Sequence, residues 1–294
     1  LGFFGSLIAG LFNSAPGMAV LAAAMFLGSA TIYRNFGHND FATQFALAAS
    51  ICGQAAAVVA FGKMYGADAT TPMAWFAAAM QISLVWLMPN FLHRFLSTMF
   101  AVLALFVATK NGFASAGVSA AIGLGFVYLV REESPLVLRG RRALAEPVIA
   151  GLAIGLLLAG VAHIRLFGST PWLQFSPLSA LAFAASLVLW VALAARGLAA
   201  GSRSAALLAA IAFCMASWRA PGLAACALVL LASFARGRRT MTGLSLVALV
   251  GYLSTYYYQM EITLALKSAV LAATGGVLLV SWWVHRQYFS AEGV

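Results

Sequence analysis

The side chains able to do chemistry in this 294-residue sequence are few, and the sharpest is Lys267. It lies inside an apolar run, roughly 9 Å beyond Glu261 at about 1.5 Å per helical residue. A lysine at the centre of a bilayer costs about 3 kcal/mol or more. A charge held there serves as a relay or an anion contact. The plainer alternatives are a structural ion pair or snorkelling outward along its own stem. Glu261 is the nearest carboxylate in sequence. Six positions turn about 240° around a helix, however, so the two do not share a face. A partner for Lys267, which is followed directly by Ser268, must come from another helix or from a bend in the first turn.

Gln44 and Gln54 fall on one expected helix and Gln81 on the next. Buried amides bond across helices, contributing about 0.6–2 kcal/mol; alternatively they border a polar pathway. The separation of Gln44 from Gln54 is about 80° around the helix, so the pair can border one groove. The segment MPNFLHRFLS (88–97) reads as a tight hairpin in which Pro89 and Asn90 supply the turn and His93 and Arg94 open the next helix. A lone histidine beside an arginine has no partners at metal-ligand spacing, and His38, His163 and His285 are scattered over other connections. The sequence holds no HExxH, no GxSxG elbow, no GxxxxGK[ST] loop, no GxGxxG after a strand and no paired carboxylate within a span. No catalytic, cofactor-binding or metal-binding residue is assigned, no cofactor is expected, and the protein is not expected to be an enzyme. Arg139, Arg141 and Arg142 could hold a phosphate group, but membrane orientation explains them more simply.

The elements that position these residues follow from composition. Apolar residues make up 63% of the chain and charged ones 8%, against roughly 25% charged in a soluble domain. That excludes a soluble enzyme, a disordered chain and a nucleic-acid-binding domain, despite a net charge of +10. Continuous apolar runs, rather than alternation, predict helices and not a membrane barrel. Runs and breakers place spans at 1–12, 16–32, 41–61, 72–89, 95–109, 114–130, 147–164, 177–195, 204–218, 221–235, 242–257 and 262–284. The first is short and open to truncation, and the ninth and tenth are short enough to be tilted or partly re-entrant. Several spans begin with proline, which suits the first turn of a helix. Because Leu1 is not a methionine, an upstream segment is expected. Cys52, Cys214 and Cys226 read as small buried thiols. Gly151 and Gly155 suggest close helix packing; Gly197 and Gly201 repeat the spacing, which arises often by chance in a chain with 27 glycines. Aromatic residues such as Trp218, Trp282 and Tyr256–Tyr258 mark span ends.

Orientation follows from the cations. Even-numbered connections carry Arg34; Arg94; Arg131, Arg139, Arg141 and Arg142; Arg196 and Arg203; and Arg236, Arg238 and Arg239. With Arg286 in the tail these make twelve, against four (Lys63, Lys110, Arg165 and Arg219) on the odd-numbered connections. Cytoplasmic connections hold the excess of Lys and Arg. The expectation is therefore an all-α polytopic bundle of about twelve spans in one integral-membrane domain, with both ends cytoplasmic. The longest connection, 131–146, divides it six and six, but no matching motif supports a duplication.

Three segments resemble a known family: DFATQFALAASICGQ (40–54), LMPNFLHRFL (87–96) and YLSTYYYQMEITLALKSAVLAATGG (252–276). In this order and spacing they are similar to bacterial inner-membrane proteins of unknown function, commonly encoded beside a small protein named for a Gly-Asp-Tyr-x-x-Leu-x-Tyr motif. The resemblance implies a Gram-negative inner membrane and a membrane-anchored partner with a periplasmic part. It marks Gln44, Gln54, Asn90, His93, Arg94, Tyr257, Lys267 and Ser268, and gives them no chemical role. Together with the missing catalytic patterns and tiny loops, it favours a subunit that docks or positions a partner in a small envelope complex, possible as a hetero-oligomer. The alternative is a transporter or channel for a small solute or lipid, using Lys267, Gln54 and Gln44.

Overall fold

Ser14 starts the first described helix, its hydroxyl accepting from the Gly17 N–H at 3.1 Å, with Pro16 in the first turn where its lack of an N–H costs nothing. The computed structural model describes residues 12–66, 70–109, 112–162, 177–218 and 220–259, together with 265, 268 and 272. Helix α1 (Ala15–Asn35) is followed by α2 (Asp40–Tyr65), capped by Asn39 and closed by Gly66 at a φ of 87°. Then come α3 (Thr70–Leu87), α4 (Phe91–Ala108), α5 (Gly112–Arg131), a short α6 (Glu133–Leu138) and α7 (Arg142–Ala162). The rest are α8 (Pro177–Ala194), running into a 3-10 turn at Ala195–Gly197, α9 (Ala200–Ala216), α10 (Pro221–Ala235) and α11 (Arg239–Gln259). No strand occurs among the described residues.

Six of these helices, α1, α2, α4, α5, α7 and α8, are long and apolar enough to cross a membrane. Helix flanks agree: Leu27, Trp86, Leu208 and Val247, on α1, α3, α9 and α11, are each about two-thirds or more exposed, an arrangement that suits hydrocarbon and not water. Ten of the twelve expected spans coincide with a described helix. At 17 and 15 residues, α9 and α10 fall short of a full crossing. The first and last expected spans lie almost wholly outside the described residues.

Two details of the long connection 131–146 differ from expectation. It contains α6, and α7 begins at Arg142, so Pro147 lies inside the helix rather than at its start. The i−4 acceptor that Pro147 cannot use is the carbonyl of Ala143, and Arg94 Nη1 donates to that carbonyl at 2.8 Å. A side chain from α4 thus makes the bond that the backbone of α7 cannot. Cys214 and Cys226 are buried as expected, whereas Cys52 is exposed, because it falls on the outer side of α2.

The main core lies where α4, α5, α7, α8 and α10 meet, around Phe106, Phe126, Leu156, Phe183, Leu187 and Leu228. Every residue of α10 from Pro221 to Val229 is buried. Its small side chains permit this: a Cβ on Gly222 would run into the ring of Tyr252 and lie 3.0 Å from Gly160 Cα. Helices α4 and α7 run parallel in register. A Cβ on Gly151 would lie 2.6 Å from the Phe95 carbonyl oxygen and 2.7 Å from Thr98 Cβ, and one on Gly155 2.8 Å from Val102 Cβ. The GxxxG of α7 is therefore a close-packing face, while Gly197 and Gly201 have no such neighbour. Residues Leu1–Tyr252 form one compact unit and Leu253–Val294 a second.

Candidate functional site

A row of buried polar side chains joins α2, α3 and α4. Gln81 Nε2 donates to Gln54 Oε1 at 2.7 Å, and Gln54 Nε2 reaches Ser50 Oγ at 3.5 Å. Ser50 Oγ lies 2.7 Å from His93 Nε2, and Ser97 Oγ lies 3.2 Å from His93 Nδ1. All five side chains are buried. Ser50 Oγ accepts from the Gln54 amide, and the two serine hydroxyls bracket the two ring nitrogens of His93, the imidazole tautomer setting which partner donates in each contact. From α1, the Tyr33 ring meets the imidazole edge-on, centroids 6.2 Å apart at 87°. Two buried atoms at the margins, Tyr33 Oη and Gln81 Oε1, have no hydrogen-bond partner among the described residues.

Local sequence explains the placement. Asn90 accepts from the His93 N–H at 3.1 Å and so caps α4, fixing where the imidazole enters the bundle. Ser50 and Gln54, like His93 and Ser97, are four residues apart and share a helix face. Arg94, one position on, faces away from the imidazole. Its Nε donates to the Val85 carbonyl at 3.1 Å and its Nη1 to Ala143, fastening the α3–α4 turn to the start of α7.

Of the residues singled out by sequence, Gln54, Asn90, His93 and Arg94 come together here. Gln44 does not: it is exposed on α2, so it borders no common groove with Gln54, which turns inward. Tyr257 is half-buried and Ser268 exposed, both in the second unit. Glu261 and Lys267 lie outside the described residues. Sequence reasoning treated Gln81 as helix glue and missed Tyr33, Ser50 and Ser97. The four-residue spacings of Ser50 to Gln54 and His93 to Ser97 were the signal available.

The arrangement can align and fasten helices. Among the described residues no group of three or more His, Cys, Asp or Glu side chains sits where a metal ion could be held. The hydroxyls beside His93 are each engaged by the imidazole, and no carboxylate is bonded to it among the described residues.

A family model described as a domain of unknown function (DUF4401) matches residues 1–288. No curated protein and no solved structure matches the chain.

Proposed function

On the premise that the chain belongs to the DUF4401 family, we propose that this membrane protein is a non-enzymatic multi-pass subunit. It docks or positions a partner in a small complex of the bacterial envelope. In this reading the chain sits in the inner membrane, crosses it about twelve times and keeps both ends in the cytoplasm. The partner is the membrane-anchored protein with a periplasmic part that the family resemblance implies.

One observation carries the reading. The polar side chains of the α2–α3–α4 interior bond to one another, from Gln81 Nε2 through Gln54 and Ser50 to His93 and Ser97, with Gln81 Oε1 the atom of this row left without a partner among the described residues. A bundle whose interior amides, hydroxyls and imidazole bond helix to helix is built as a scaffold. Its recognition chemistry belongs on its ends and flanks. The transport alternative has less to stand on: Gln44 faces outward and Gln54 is taken up by Ser50 and Gln81.

The test is co-expression of the full chain with the small Gly-Asp-Tyr-x-x-Leu-x-Tyr protein, followed by purification in mild detergent. Co-elution at a constant ratio is expected, and the Lys267→Met variant should keep it. A chain that elutes alone and monomeric overturns the subunit reading. A solute flux in proteoliposomes that Lys267→Met abolishes would establish transport instead.

A further inference from the structure

Away from the histidine row, a cleft of about 520 Å³ opens where Phe91 at the start of α4, Glu146 in α7 and Arg239 at the start of α11 converge. Its two carboxylates are occupied. Glu133 is ion-paired to Arg238, and Glu146 accepts from Arg142 at 3.1 and 3.2 Å. Arg239 differs: it is exposed, and its guanidinium has no partner among the described residues. Thr240 beside it adds a hydroxyl to the same cleft.

The flank of the cleft is apolar, from Met241 and from Phe91, which is 52% exposed. Inward, the cleft stops against the core. The void adjoining it behind Ala150 and Arg238 measures only about 10 Å³ and is bounded by Phe126, Ile149 and Ala153. The cleft is open at the surface, with room for a headgroup, and the small void behind it leads no further into the core. The cleft lies near the starts of α4 and α7, both long and apolar enough to cross a membrane, and such ends lie at the depth of lipid headgroups; α6 and the start of α11 complete its lining. Arg131 and Arg236 stand close by, Arg236 donating to the Arg131 carbonyl at 3.1 Å. Arg131 itself pairs with Glu132, so the five arginines here (131, 142, 236, 238 and 239) face three carboxylates (132, 133 and 146), which leaves the surroundings net positive.

We propose that this cleft binds the phosphate of an anionic phospholipid headgroup, with Arg239 and Thr240 as its donors. A guanidinium pairs with phosphate oxygens through parallel N–H donors, and each arginine near the membrane surface adds about 1 kcal/mol for anionic lipid. Inorganic phosphate would meet the same donors. The lipid is the occupant because its glycerol and first acyl carbons cover Phe91 and Met241, which a free ion leaves bare.

Native mass spectrometry of the full chain in detergent, titrated with dioleoyl phosphatidylglycerol or dioleoyl phosphatidylcholine, tests this. Phosphatidylglycerol should bind at least about fivefold more tightly, and Arg239→Gln should erase about that factor. Arg239→Lys should retain most of the preference. Arg203→Gln, an exposed arginine on α9 that does not line the cleft, should leave it unchanged. Equal binding of the two lipids, or phosphatidylglycerol binding indifferent to Arg239→Gln, overturns the proposal. Complete displacement of the lipid by millimolar inorganic phosphate also overturns it, in favour of a free-anion site.

Discussion

Arg94 stands in for the hydrogen bond that Pro147 removes. Its guanidinium donates at 2.8 Å to the Ala143 carbonyl, the acceptor that any residue with an N–H at position 147 would occupy within α7. The same side chain holds the Val85 carbonyl at 3.1 Å in the last turn of α3. One residue thus satisfies two carbonyls and joins three helices, beside the parallel seam of Gly151 on Phe95 and Thr98.

This pairing makes Arg94→Gln and Pro147→Ala non-additive. Alone, Arg94→Gln should destabilise the chain by about 1–3 kcal/mol, chiefly because it leaves the part-buried Val85 carbonyl without a donor, while the Ala143 carbonyl is exposed. With Pro147→Ala also present, Ala143 regains a backbone donor and the cost of losing Arg94 should shrink. Thermal unfolding of the four variants in detergent measures the coupling. Equal costs in both backgrounds would show that the two residues act independently.

His93→Ala removes the centre of the polar row and leaves Ser50 and Ser97 facing an apolar gap. A loss of about 1–3 kcal/mol is expected, with a coupling to Ser50→Ala of about 0.6–2 kcal/mol in a double-mutant cycle. A cycle that closes to zero would mean that the 2.7 Å contact contributes nothing to stability.

The two amides should behave as a unit. Gln81→Leu strands Gln54 Oε1 and should cost about 1–3 kcal/mol, whereas the double variant Gln54→Leu with Gln81→Leu removes both partners and should cost less than the sum. Additive losses in a denaturation series would refute that.

Close packing separates the two GxxxG pairs. Gly151→Ala forces a methyl to 2.6 Å from a backbone oxygen and should destabilise by about 1–3 kcal/mol. Gly201→Ala has open space around it and should stay within about 0.5 kcal/mol of the parent. Folded yield by fluorescence-detected gel filtration ranks the pair, and the reverse ranking would discredit the α4–α7 seam.

Orientation has its own readout. A cysteine at Arg139, which is exposed between α6 and α7, should be labelled by a membrane-impermeant thiol reagent only after the inner membrane is opened. Labelling in intact spheroplasts would invert the proposed topology.

Composition, breakers and caps made the helices legible in the sequence. Apolar runs too long for a soluble core, Pro16 and Pro221 in first turns, and Asn90 ahead of His93 each act through neighbours a few residues away. The same local logic singled out Gln54, Asn90, His93 and Arg94. It could not say which of them meet. In a helix that is apolar on every side no stripe announces the inward face, so Gln44 and Gln54 looked equivalent until packing turned one outward and the other toward Gln81. Tyr33, Ser50 and Ser97 stayed hidden for the same reason, since a serine or tyrosine in an apolar run is unremarkable until a neighbouring helix brings an imidazole beside it. Pro147 shows the limit most directly: proline reads as a helix start, yet α7 begins earlier at Arg142, and the carbonyl that Pro147 leaves unbonded is taken by the Arg94 guanidinium from another helix. Local chemistry determines where a helix can form; which side of it meets which neighbour is decided by contacts between residues far apart in the chain.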